Sequence, residues 1–137
     1  MPIEYVSSSQ SAVFNIQAGD DLIILQNVAI ASGSDGITNN ISGVLEDISV
    51  TIQGSVFGEL AMDFYWNTTE VNELDIYVGG EGHIHGAVDG ILLKAGEDNR
   101  LINHGEISAQ GNTILTSGGE FSISNHGTIS SFGLETR

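Results

Sequence analysis

The chain has 137 residues, with 18 acidic and 3 basic side chains and a formal charge of −15 at neutral pH. That length suits one domain and leaves no room for a second substantial one, and the charge repels nucleic-acid phosphates and anionic lipid headgroups. Hydrophobic residues make up 40%, so the acidity reflects scarce bases and not the apolar poverty of a disordered chain.

There is no cysteine, which excludes disulfide staples and thiolate metal sites. Met1 to Ile16 has neither a basic n-region nor a long apolar run, so no signal peptide is expected there. An export signal would then lie elsewhere, for instance beyond Arg137 in a longer parent chain. No stretch approaches the ~20 apolar residues of a membrane helix, so membrane insertion is not expected. Glycine numbers 18 and proline 1; with abundant Ile, Val, Thr, Ser and Asn this is strand-and-turn composition.

In chain order, residues 3–16 are expected to close the N-terminal end, and residues 20–133 read as repeating coils. The first coil carries Leu25-Gln26-Asn27-Val28-Ala29-Ile30, the next Ile52-Gln53-Gly54-Ser55-Val56-Phe57, then Val78-Gly79-Gly80-Glu81-Gly82-His83-Ile84. The last two match best: Leu101-Ile102-Asn103-His104-Gly105-Glu106-Ile107-Ser108 and Ile123-Ser124-Asn125-His126-Gly127-Thr128-Ile129-Ser130, offset by 22 residues. The closing apolar positions, Ile30, Phe57, Ile84, Ile107 and Ile129, are spaced by 27, 27, 23 and 22. Periods of that size mark solenoids or propellers, and a propeller blade needs about 40 residues. Within one coil the apolar runs Asp75–Val78, Gly82–Ile84 and Gly90–Leu93 are too short for helices. The expected fold is an all-β, right-handed parallel β-helix, a single solenoid domain over 1–137 with about five coils.

A lone coil cannot bury its inner face, so stacking must place Ile30, Phe57, Ile84, Ile107 and Ile129 in one column. Asn103 and Asn125 share parity with Leu101 and Ile123 and are expected to point inward at a bend. Stacked amides there would satisfy one another. Gln26 and Gln53 would extend that ladder, and Gly80 would interrupt it.

The pattern aliphatic-x-Asn-x-Gly-x-Ile, at Leu101–Ile107 and Ile123–Ile129, resembles the coil repeat of bacterial secreted and surface parallel β-helix proteins. Autotransporter passengers and RTX-type type I-secreted proteins are the nearest likeness. The resemblance covers residues 20–133, strongest in the last two coils. It implies an extracellular stalk or adhesive surface, often calcium-dependent. The Gly-Gly-x-Gly-x-Asp calcium repeat is absent, since Gly79-Gly80-Glu81-Gly82-His83-Ile84 matches only its start.

Acidic residues recur just before each coil's first strand: Asp20, Asp21, Glu46, Asp47, Glu73, Glu97, Asp98 and Glu120. Stacked carboxylates repel one another and attract divalent cations, so these eight are the candidate metal ligands, with Ca2+ the expected ion. The bland alternative is a solvated turn. A second file, Asp35, Asp63, Asp89 and Asn112, contains the turn dipeptides Asp35-Gly36 and Asp89-Gly90, and local turn chemistry accounts for it. His104 and His126 share a repeat position and should stack; His83 and His85 should lie on the face opposite Ile84. Pairs of histidines suit a transition metal, against the alternative of exposed ladder residues. Trp66 and Tyr65, beside Phe64, are candidate contacts for a protein or glycan partner, or else cover the core. Asn40-Ile41-Ser42 and Asn67-Thr68-Thr69 are glycosylation sequons with no meaning in a bacterial chain.

No phosphate-binding glycine-lysine loop and no Gly-x-Ser-x-Gly elbow occur. Lys94, Arg100 and Arg137 are too few to neutralise a polyuronate. These observations point to a non-enzymatic extracellular structural or adhesion module of a bacterial secreted or surface protein, with self-association through uncovered solenoid ends. The alternative is a glycan-binding or glycan-cleaving β-helix, which needs carboxylates on neighbouring coils flanking a cleft.

Overall fold

The computed structural model describes residues 3–39, 43–65 and 68–132, and these contain strands and turns with no helix. The strands are β1 (Ile3–Val6), β2 (Phe14–Asn15), β3 (Asp21–Ile24), β4 (Ala29–Ala31), β5 (Ile37–Thr38), β6 (Gly43–Ile52) and β7 (Ser55–Phe64). They continue as β8 (Thr68–Val78), β9 (His83–Lys94), β10 (Asn99–Asn103), β11 (Glu106–Ala109), β12 (Ile114–Ser117), β13 (Phe121–Asn125) and β14 (Thr128–Ser131). One sheet runs β1-β3-β6-β8-β10-β13, and the second runs β14-β11-β9-β7-β5-β2 with β12 beside β9 and β4 beside β7. Every pairing between these strands is parallel. The chain alternates between the two sheets and returns one rung higher each time, which makes a parallel β-solenoid of about five turns.

Residues 3–16 lie at one end of this stack. β1 pairs with β3, Gln10 bridges to Ile30, and β2 pairs with β5.

The register sets the core. In the first sheet Leu22, Val50, Ile76 and Leu101 stack inward and are buried, with Ile123 above them. In the second sheet the column is Ile30, Val56, Ile84, Ile107 and Ile129. Val56 therefore occupies the place expected for Phe57. A strand turns successive side chains to opposite faces, so the one-residue slip sends Phe57 outward, over His85 and 39% exposed. A second column of Ile37, Met62, Ile91 and Ile114 completes that sheet's inner face.

β6 to β9 have 10, 10, 11 and 12 residues, longer than the runs of three to five residues expected from the sequence. The ladder continues around a corner instead of breaking at it. The register shifts between Gly58 and Leu60 opposite Gly86 and Asp89. Both glycines are pressed against backbone: a Cβ on Gly86 would overlap the Asp89 carbonyl, and one on Gly58 the Gly36 amide. Such bulges bend a strand while keeping its neighbours paired.

The tight turn from the first sheet to the second stacks Gly54, Gly82, Gly105 and Gly127, each just before a paired strand residue. A Cβ at any of them would strike a carbonyl oxygen of the coil beneath. Asn103 is buried inward at this turn, as expected, and Asn125 lies over it on the last rung, where it is exposed. Asn103 Nδ2 donates to Asn125 Oδ1 at 2.8 Å, and each side-chain oxygen accepts from the glycine amide two residues on. Beneath Asn103 the column continues as Val78, Ile52 and Ile24. Gln26 and Gln53 are exposed beyond the turn, so they do not extend the amide ladder.

Candidate functional site

The acidic residues separate into distinct files once register is applied. Asp47, Glu73, Asp98 and Glu120 lie two residues before Ser49, Asp75, Arg100 and Ser122, which occupy one rung position. These four carboxylates therefore form a column, with rungs ~4.8 Å apart. Asp75 and Arg100 border it, joined by a 3.0 Å ion pair on the exposed face. Together with Asn99 and Ser122 they line an open groove of about 410 Å³.

Asp47, Glu73 and Asp98 have φ of 56°, 53° and 56°, and Gly19, at the same level of the first full coil, has 84°. The left-handed bend is thus repeated up the column. Asp tolerates that region better than most residues, and Glu is an unusual occupant. Asn99 holds the bend from inside: its Oδ1 accepts from the Leu74 amide, and its Nδ2 donates to the Val71 and Glu120 carbonyls.

The other four candidates lie off this column. Asp20 is buried and accepts from the Gln17 amide at 2.8 Å, closing a local turn. Asp21 pairs with Ser49, two positions past the column. Glu46 pairs with Asn72. Glu97 donates its amide to Asn72 Oδ1 at 2.7 Å. Among the described residues no three His, Asp or Glu side chains converge in a metal-ligating cluster.

The second acidic file needs a correction. Leu60, not Asp63, pairs with Asp89, because the two coils are in register at an offset of 28 residues before the bulge and 29 after it, not the 26 that separates the two aspartates. Asp63 instead lies beside Thr38 and Leu92 and is buried. Its side chain hydrogen-bonds to Asp35, and Asp63 Oδ1 also accepts from the Tyr65 amide at 3.1 Å. Partial burial, the bond to Asp63 and the negative charges of Asp63 and Glu59 push the Asp35 carboxyl up to about 7. A hydrogen bond between Asp35 and Asp63 leaves no room for a substrate between them, whereas glycosidases hold their two carboxyls roughly 5 to 9.5 Å apart.

The histidines follow their expected faces. His104 and His126 stack with centroids 4.8 Å apart and planes 10° from parallel, and Tyr77 tilts against His104 at 5.6 Å. His83 and His85 flank Ile84 outward. His83 Nδ1 lies 3.4 Å from Glu106 Oε1, and His85 Nδ1 lies 2.9 Å from Ser108 Oγ. Tyr65 is half-buried, with Lys94 Nζ 4.9 Å from its ring centroid. Trp66 lies outside the described residues, as do Asn40, Ile41, Ser42 and Asn67 of the two sequons.

A groove that the sequence did not single out is lined by Gln26, Gln53, Tyr77, Gly79, Gly80 and Glu81, with a volume of about 300 Å³. Tyr77 stands between inward Ile76 and Val78, so parity alone placed it outside; its partnership with the two glutamines needed the register. No family model, no curated protein and no solved structure matches the chain. Among the described residues no helix is long and apolar enough to cross a membrane.

Proposed function

We propose that this chain is a non-catalytic structural or adhesion module of an extracellular bacterial β-solenoid protein. The observation that carries the reading is the disposition of the carboxylates. Asp35, the one strongly perturbed carboxyl among the described residues, is hydrogen-bonded to Asp63, while the stacked acids line an open groove on the outside of the rod. The first pair is closed on itself, and the second stands in a single row up successive coils instead of on opposite walls of a cleft. The strands are spent on a continuous ladder, which suits a rod that carries surface and not one that closes over a substrate.

The column of Asp47, Glu73, Asp98 and Glu120 gives that rod a line of like charge. Weak association of Ca2+ along it belongs to the same proposal, by screening of repulsion between rungs. A stalk stiffened in this way would melt several degrees higher with calcium than with a chelator; coincident curves would remove calcium from the reading. The catalytic question is settled by incubating the full chain with neutral polysaccharides and assaying new reducing ends. None are expected. Release that disappears in Asp63→Asn would instead make the chain a glycan-cleaving enzyme.

A further inference from the structure

We infer that the Gln26–Gln53–Tyr77 groove is a binding strip for a linear neutral oligosaccharide lying along the solenoid axis. The inference rests on the adhesion reading and names the class of ligand. Its first ground is shape. Gln26, Gln53 and Tyr77 come from three successive coils, and the Tyr77, His104 and His126 rings carry the strip up two more. A surface that repeats every ~4.8 Å along its length fits a polymer, and one rung is close to the length of one pyranose ring in an extended chain.

Its second ground is chemistry. The Gln26 and Gln53 carboxamides are exposed and line the groove. Each offers two donors and an acceptor, the complement of sugar hydroxyls. Tyr77 is 42% exposed and presents an apolar ring with a polar tip, the surface on which the C–H face of a sugar stacks. Gly79 and Gly80 leave that ring uncovered. A Cβ on Gly79 would sit 3.9 Å from Tyr77 Cε1, and one on Gly80 would meet nothing within 4 Å. Glu81 and the chain charge of −15 repel uronates and sulfated glycans. An extended peptide is the less suited occupant, because the rungs beneath the strip already pair with one another and offer no free edge for strand addition.

Calorimetric titration of the full chain tests this. The probes are neutral hexasaccharides of β-linked glucose, mannose, galactose and N-acetylglucosamine, hexagalacturonate as the anionic arm, and a decapeptide pool as the peptide arm. At least one neutral hexasaccharide is expected to bind, and hexagalacturonate is not. Tyr77→Ala and Gln53→Ala should each weaken binding by about tenfold, Tyr77→Phe should retain it, and Val88→Ala, at an exposed apolar position outside the groove lining, should leave it unchanged. Gly79→Leu crowds the ring without disturbing a tight backbone contact, so it blocks the strip even if Tyr77→Ala fails to fold. Absence of binding by every neutral probe up to millimolar concentration overturns the inference. So does affinity unchanged by both Tyr77→Ala and Gly79→Leu, or Tyr77-dependent binding of peptide alone. Release of reducing ends with Tyr77-dependent binding would overturn the non-catalytic reading and leave the strip standing.

Discussion

The carboxamide of Asn103 donates to Oδ1 of Asn125 one rung above, at 2.8 Å, while its own Oδ1 accepts from the Gly105 amide at 3.0 Å. One buried side chain thus ties two coils together and closes the turn of its own coil. Asn103→Ala strands the Gly105 amide and leaves a small void, and the expected loss is about 2–3 kcal/mol. Asn125→Ala, at an exposed position, should cost less than about 1 kcal/mol. Urea unfolding of both variants checks the ordering; equal losses would remove burial as the cause.

The glycine file in the same turn is a steric requirement. The added methyl of Gly105→Ala would strike the Gly82 carbonyl, whereas a Cβ on Gly80 meets nothing within 4 Å. Neither glycine has a positive φ, so the difference isolates contact from backbone conformation. Gly105→Ala should cost about 3 kcal/mol and Gly80→Ala less than about 0.5 kcal/mol. Thermal melting of the pair provides the comparison.

Glu73 occupies a left-handed bend with φ of 53°, inside a column of like charges. Asparagine tolerates that conformation better and carries no charge. Glu73→Asn should stabilise the fold by about 0.5–1 kcal/mol. The same exchange at Glu70, whose φ is not positive, should not. A neutral or destabilising result at Glu73 would mean that the carboxylate makes a compensating interaction.

Asp35 gives a signed pH dependence. Its carboxyl is raised from 3.8 to about 7 in the folded chain by burial, the bond to Asp63 and the charges of Asp63 and Glu59. The folded state therefore holds a proton that the unfolded chain has released between those two values, and stability falls as pH rises through that window. Asp35→Asn should flatten this slope and raise the melting temperature at pH 8 more than at pH 4. A melting temperature that shifts equally at both values would contradict the raised Asp35 carboxyl.

Much of the architecture was legible in the sequence because the repeat fixes which coils must stack. Ile84, Ile107 and Ile129 fell into one column, and Asn103 and Asn125 into one ladder, where the coils match in length. The reading slipped wherever coil length changed. Phe57 was placed where Val56 lies, since only pairing decides parity across a spacing of 27. Asp63 was placed where Leu60 lies, since the recurrence of aspartates at 26 residues does not reveal a register offset of 28 to 29. The acidic file was visible as a recurrence, and Asp47, Glu73, Asp98 and Glu120 do share a column. Asp20, with the same spacing, is instead a buried turn acceptor. The groove at Tyr77 was hidden because its members come from three coils and share no motif.

The central claim is that residues about two dozen positions apart sit over one another. The chain contains no cysteine, so disulfide formation reads register directly. Ile102 and Ser124 are paired across adjacent rungs, about 4.8 Å apart at Cα and within bonding range. The double variant Ile102→Cys/Ser124→Cys should oxidise readily to an intramolecular disulfide without loss of fold. Ile102→Cys/Ser122→Cys, offset by two residues on the same face, should oxidise much more slowly. Equal rates, or faster closure in the offset pair, would contradict the stacking on which every column described above depends.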